Sequence, residues 1–164
     1  MKQNLTRQDV TPELIKAGYA YIAAKAVTQV VAEAVKPIQI EVLAGFEFFN
    51  DLSVKHGAER KRITDPDQLY LSEDKDGVTA YYFAVDQRLK ANGLKPQDMP
   101  VEHCPILVAE SKQAVAEWAL IVAAAKMLGD DSPDTFNNRL LCQKDGLERR
   151  REFIELTAKL VVNL

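Results

Sequence analysis

Along most of this chain apolar residues recur three and four positions apart, the spacing that lines up side chains on one face of an α-helix. The polar residues between them read as helix punctuation. "TPEL" at 11, "DPDQ" at 65 and "SPDT" at 132 each place a capping residue (Thr11, Asp65, Ser132) before a proline, which suits the first helical position because no amide donor is needed there. "CPIL" at 104 follows the same grammar with a poorer cap.

The alanine-rich segment from Thr11 predicts a helix to about Lys36, with Ile15, Tyr19, Ile22, Ala26 and Val30 on its buried face and Gly18 as its weak point. Pro37 should end it, since the residue before a proline is pushed out of the helical region. The next segment, 37–52, fits two periods. Ile38, Ile40, Val42, Phe46 and Phe48 alternate like a strand, while Ile38, Val42, Gly45, Phe49 and Leu52 recur like a helix. Helix is the better reading, because no second segment offers a strand partner.

After an exposed connection, "ITDPDQLYL" predicts a short helix with Asp65 and Gln68 in a capping box. Ser72 then caps a helix packing Val78, Tyr82, Val85 and Leu89 and closing near Gly93. The longest helix runs from Pro105 to about Leu128, roughly 36 Å at 1.5 Å per residue, and Gly129 closes it. Its stripe is Leu107, Ser111, Ala114, Trp118, Ile121, Ala125 and Leu128, widened by Val108, Val115, Ala119 and Val122, which places it at the centre. A short helix follows Ser132. The last presents Leu147, Ile154, Ala158 and Val161, with Phe153, Leu156 and Leu160 beside them. No repeat, low-complexity tract or linker interrupts the chain. The expected fold is all-α: one domain over 1–164, with 1–10 as a flexible start, built as a compact bundle of six to seven helices around helix 105–128.

Composition narrows the function classes. At 164 residues, folding hides roughly 70% of the unfolded surface, enough for a core without staples. A net charge of -3 is too weak to attract nucleic acid by itself and too weak for a nucleic-acid mimic. Cys104 and Cys142 lack any zinc-ligand spacing and imply no disulfide framework. The start "MKQNLTRQDV" has no apolar signal core, and the longest apolar run, "WALIVAAA" at 118–125, falls short of the roughly 20 residues of a membrane span. A cytoplasmic protein is the expectation.

Four places could carry chemistry. His103 and Cys104 stand at a helix start that favours a thiolate, but adjacent side chains before Pro105 point to opposite sides, a poor dyad geometry. Cys104 reads as a structural cysteine. Glu110, Gln113 and Glu117 align on one helix face, with Glu117 against its most apolar part, where a partly buried carboxyl of raised pKa could sit; a solvated groove beside Trp118 or a polar contact between subunits is the better reading. "EDKDG" at 73–77 starts like a calcium loop but reaches Phe83 where a bidentate glutamate belongs. The basic groups are "KHGAERKR" at 55–62, with Arg60, Lys61 and Arg62, and the run Arg149, Arg150, Arg151. Together they could hold phosphates, or Arg151 could pair with Glu155 and Arg149 with Glu152 as a solvated face. No phosphate loop or nucleophile elbow is present, and no cofactor or metal is implied.

From Arg62 onward, "RITDPDQLYLSEDKDG", "GLKPQDMPVEHCPILVAES" and "RREFIELTAKLV" resemble small uncharacterised proteins carried by bacterial prophages and other mobile elements. The resemblance covers about the last two thirds of the chain, implies a bacterial cytosol and implies no chemistry. The expected function is therefore a non-enzymatic adaptor or modulator that binds a protein partner and self-associates, a dimer being the simplest such assembly, with Tyr19, Tyr21, Tyr81, Tyr82 and Phe83 supplying interface area. The alternatives are a nucleic-acid binder using 55–62 and 149–151, and a thiol enzyme centred on Cys104.

Overall fold

The computed structural model describes residues 7–130 and 132–163. Among them are six α-helices: α1 (Pro12–Leu43), α2 (Asp51–Lys55), α3 (Lys75–Ala91), α4 (Pro105–Met127), α5 (Pro133–Leu141) and α6 (Gly146–Val162). Short 3-10 helices cover Arg7–Asp9 and Pro66–Leu71. No strand occurs among the described residues, only an isolated antiparallel bridge between Phe49 and Arg62. The fold is all-α, as the spacing predicts. Of the flexible start expected at 1–10, residues 1–6 lie outside the described residues, while Arg7 donates to the Asn163 carbonyl at 2.8 Å and its turn is formed.

The punctuation performs as the chemistry of helix ends requires. Ser132 Oγ accepts from the Thr135 amide at 3.3 Å, and Asp65 Oδ1 from the Asp67 amide at 2.9 Å, each offsetting an orphan donor of a first turn. Gly93 and Gly129, with φ of 70° and 77°, follow the last turns of α3 and α4 in the left-handed conformation that lets a chain leave a helix. Ser72 does not cap α3. Asp74 does, its Oδ1 accepting from the Gly77 amide at 2.9 Å, while Ser72 is buried and accepts from the Asp74 amide at 3.2 Å.

Pro37 does not end α1. The helix runs through it to Leu43, with Pro37 on the exposed side and Val35 and Leu43 buried, so burial on one face outweighs the amide bond and the backbone freedom lost at the proline. Segment 37–52 is accordingly split. Residues 37–43 finish α1, 44–50 are irregular, with Phe48 and Phe49 beside Ile63 and Arg62, and α2 begins at Asp51.

The chain packs as two units. Residues 7–28 with 109–163 form the first, and 29–108 the second, so α1 and α4 each give a stretch to both. In the first unit the core is mainly aliphatic. Leu14, Ala17 and Tyr21 of α1 meet Leu120, Ile121, Ala124 and Ala125 of α4 and Ile154, Ala158 and Val161 of α6, with Phe136 of α5 edge-on to Phe153 at 5.3 Å. The face of α1 that the spacing predicts is offset: Ile15 and Ile22 pack only partly, and Tyr19, Ala26 and Val30 are exposed. α1 is apolar nearly all round, so period alone cannot choose its inner face. Gly18 helps to choose it. A Cβ there would lie 2.9 Å from a Val161 methyl, so this glycine lets α1 and α6 approach and is a packing position rather than a weak one.

Helix α4 buries only part of its predicted stripe. Ile121, Ala125 and Leu128 are in the core, but Leu107, Ser111, Ala114, Val115, Trp118 and Ala119 reach solvent. On α6, Ile154, Ala158 and Val161 are buried as expected, whereas Leu147 and Leu156 are exposed.

The second unit is built differently. Phe46, Phe48 and Tyr81 form an aromatic cluster, with Tyr81 edge-on to the two phenylalanines at 5.8 and 6.3 Å, over Val35, Leu43, Ile63, Leu69, Val85 and Leu89. Tyr81 takes the inner place the spacing gives to Tyr82, and its hydroxyl donates to the Gln39 carbonyl at 3.2 Å. The connection after α3 is held by an ion pair. Lys95 Nζ donates to Asp86 and to the Pro100 carbonyl, and Lys90 Nζ lies 3.1 Å from Asp86 Oδ2 without the alignment of a hydrogen bond.

Candidate interaction site

Helix α4 and its neighbours in the first unit carry the predicted polar stripe. Gln113 Nε2 donates to Glu117 Oε1 at 3.2 Å, one helical turn on. Arg150 of α6 donates from Nη1 to Glu117 Oε2 at 3.2 Å and from Nε to Asn137 Oδ1 of α5 at 2.7 Å. Three helices are thereby tied at one half-buried point. Glu110 stays exposed and outside this network. The structure thus joins two sets of predicted residues, 113–117 and the middle of 149–151, that lie 33 residues apart at their contact.

Beside this network α4 presents an uncharged face to solvent. Ser111, Ala114, Val115, Trp118 and Ala119 follow three-and-four spacing, with Val115 69% and Trp118 37% exposed. Trp118 is the chain's one tryptophan. The apolar stripe read from the sequence is real, and its first half is turned outward.

A second feature joins α1 and α6. Tyr21 OH donates to Glu155 Oε1 at 2.7 Å, and Lys25 pairs with the same oxygen. Lys25 first and Tyr21 second hold the Glu155 carboxyl below its usual range, while burial and then the neighbouring carboxylate raise the Tyr21 hydroxyl well above its own. Glu155 is therefore committed across the helix pair and not to Arg151. These side chains border an open cleft of about 270 Å³ lined by Ile22, Ala158, Lys159, Val162 and Asn163 as well. Neither Tyr21 with Glu155 nor Asp86 with Lys95 is signalled by motif or spacing. Both pairings are products of tertiary packing.

The basic groups lie in different units, and several of their charges are occupied. Arg60 donates to Asp51 Oδ1 at 3.3 Å and lies over the Phe49 ring at 4.1 Å, and Arg62 donates to the Phe46 carbonyl at 3.1 Å. Arg149 donates to Gln143 at 2.5 Å rather than to Glu152. Lys61 is exposed, and Arg151 is exposed within electrostatic reach of Tyr21.

Cys104 packs against the second unit's core and His103 is exposed, so the pair forms no converging nucleophile and base. Asp74 of the "EDKDG" run spends its carboxylate on the α3 cap. Among the described residues no group of three or more His, Cys, Asp or Glu side chains is placed to hold a metal, and no helix is long and apolar enough to cross a membrane. Comparison of the chain with protein-family models, with curated proteins and with solved structures found no match.

Proposed function

We propose that the protein is a non-enzymatic interaction module that self-associates through the exposed face of α4 and, so assembled, serves as an adaptor or modulator of a protein partner in a bacterial cytoplasm, in keeping with a mobile-element origin. One observation carries the reading: Val115 and Trp118 stand in water on an uncharged helical stripe. Exposed contiguous apolar patches mark interaction surfaces, and tryptophan is enriched where partners bury area. Ser111, Ala114 and Ala119 are small enough to let a second helix come close. The Gln113–Glu117–Arg150–Asn137 network holds the face rigid and gives it a polar rim.

Sedimentation velocity over a range of concentrations tests the proposal. The wild-type chain should associate, and Val115→Glu should weaken association about tenfold or more with helix content unchanged, because it sets a charge in the buried centre. A wild-type chain that stays monomeric at the highest concentration reached would refute it. The nucleic-acid reading has less support, since Arg60, Arg62, Arg149 and Arg150 already hold partners within the fold.

A further inference from the structure

The cleft between α1 and α6 has a chemistry that the self-association proposal does not use. Ile22, Ala158 and Val162 give it an apolar floor and wall, and Lys25 and Lys159 give it a cationic border. Glu155, the one carboxylate in the lining, takes the Tyr21 hydroxyl and the Lys25 ammonium on one oxygen, Oε1. Lys159 makes no ion pair among the described residues. Two ammonium groups against one carboxylate leave the border with a surplus positive charge directly over apolar surface.

We propose that this cleft binds a small anionic amphiphile, a carboxylate carried on a short alkyl chain, with the alkyl part on Ile22, Ala158 and Val162 and the carboxylate on Lys159. Charge selects the head group. A cationic head would meet two ammonium groups, Lys25 and Lys159, against a single carboxylate already paired with Lys25, whereas an anionic head gains a charge-assisted hydrogen bond from Lys159. Size selects the tail. Pockets for drug-sized ligands run from about 300 to 1,000 Å³, so an open cleft of about 270 Å³ has room for one small ligand the size of a short alkyl chain. Glu155 contributes by position: its Oε1 holds Lys25 at the border beside Tyr21, while its attraction for Lys159 acts through space without an ion-pair contact.

The test is a titration of the full chain with octanoate, octylammonium and octanol below their aggregation limits, followed by the methyl NMR signals of Ile22, Ala158 and Val162. Octanoate should shift these signals saturably. Octylammonium should leave them unmoved, and octanol should bind at least fivefold more weakly than octanoate. Lys159→Gln should reduce octanoate affinity roughly fivefold to tenfold, in keeping with loss of one partly exposed charged contact, and Lys159→Arg should restore it. Lys159 is exposed, so both variants should keep the wild-type helix content. Equal response to octanoate and octylammonium, octanoate shifts confined to other methyls, or affinity unchanged in Lys159→Gln would overturn the proposal. The wild-type α4 face is untouched by these variants, so failure here leaves the self-association result standing.

Discussion

The unit made of residues 7–28 and 109–163 closes mainly around aliphatic side chains on helices distant in sequence, with Tyr21 to Glu155 and Arg150 to Glu117 at the rim and a buried Asp130 paired with a half-exposed Arg139. The unit of residues 29–108 is continuous in sequence and sets an aromatic cluster among its aliphatic side chains, with both partners of an ion pair, Asp86 and Lys95, inside it at 2% and 1% side-chain exposure. The contrast teaches that one chain of a single helical grammar uses two means of closure. Helix on helix suffices where small residues permit close approach. Where irregular chain must be fastened, a desolvated charge pair does it.

Substitutions can break that contrast, and the largest effect belongs to the aliphatic core. Leu120→Ala should cost about 2–5 kcal/mol, the usual range for a fully buried leucine whose cavity cannot collapse. Urea unfolding should show the loss, and amide exchange should rise first in α4 and α6. Equal loosening of α3 would erase the distinction between the units.

In the second unit, Lys95→Met should cost about 2–3 kcal/mol, because it strands the Asp86 carboxylate away from water. The cost falls below that of a wholly stranded buried charge, about 3–5 kcal/mol, because Lys90 remains nearby and the cover over Asp86 is thin. Asp86→Leu in the same chain should recover most of the loss. Exchange over α3 and residues 93–103 is the readout, and a double variant no better than the single one would refute the clasp.

Gly18→Ala should cost about 1–2 kcal/mol through its contact with the Val161 methyls, and Val161→Ala should remove that penalty when the two are combined. Additive losses in thermal melts would show that Gly18 does not set the approach of α1 to α6.

Acid gives the smallest and sharpest comparison. At Asp86 burial favours the neutral form, but the hydrogen bond from Lys95 and the nearby Lys90 ammonium outweigh it, so the carboxyl titrates below its usual range, as Glu155 does beside Lys25 and Tyr21. Both folded-state values lie below the unfolded ones. Each contribution is therefore complete above about pH 5 and lost as acid carries the group through its folded value. For Glu155, whose Lys25 partner is half exposed, the loss should stay under about 1 kcal/mol. Glu155→Gln should flatten that small part of the acid limb, and an unchanged limb would remove Glu155 from the account.

These residues also show what the sequence could disclose. Helix starts at Asp65, Ser132 and Pro105 and ends at Gly93 and Gly129 were legible, because caps and terminators act within one turn of backbone. The all-α class followed. The inner faces of α1 and the first half of α4 were not legible, since α1 is apolar nearly all round, α4 carries apolar residues on more than one side of its polar stripe, and only a partner decides which side is hidden. Pro37 misled because its cost is local while the burial of Val35 and Leu43 is not. At the candidate site, the alignment of Gln113 and Glu117 could be read from helical period, but not the Arg150 and Asn137 that complete it, because nothing in spacing encodes a contact across 33 residues.

Because Trp118 is the one tryptophan and stands on the α4 face, its fluorescence reports directly on whether that face is covered. Iodide quenching should be weak, and emission shifted to the blue, at high protein concentration, with both reverting on dilution and staying reverted in Val115→Glu at every concentration. Quenching that is strong and unchanged from the most dilute to the most concentrated sample would contradict the account.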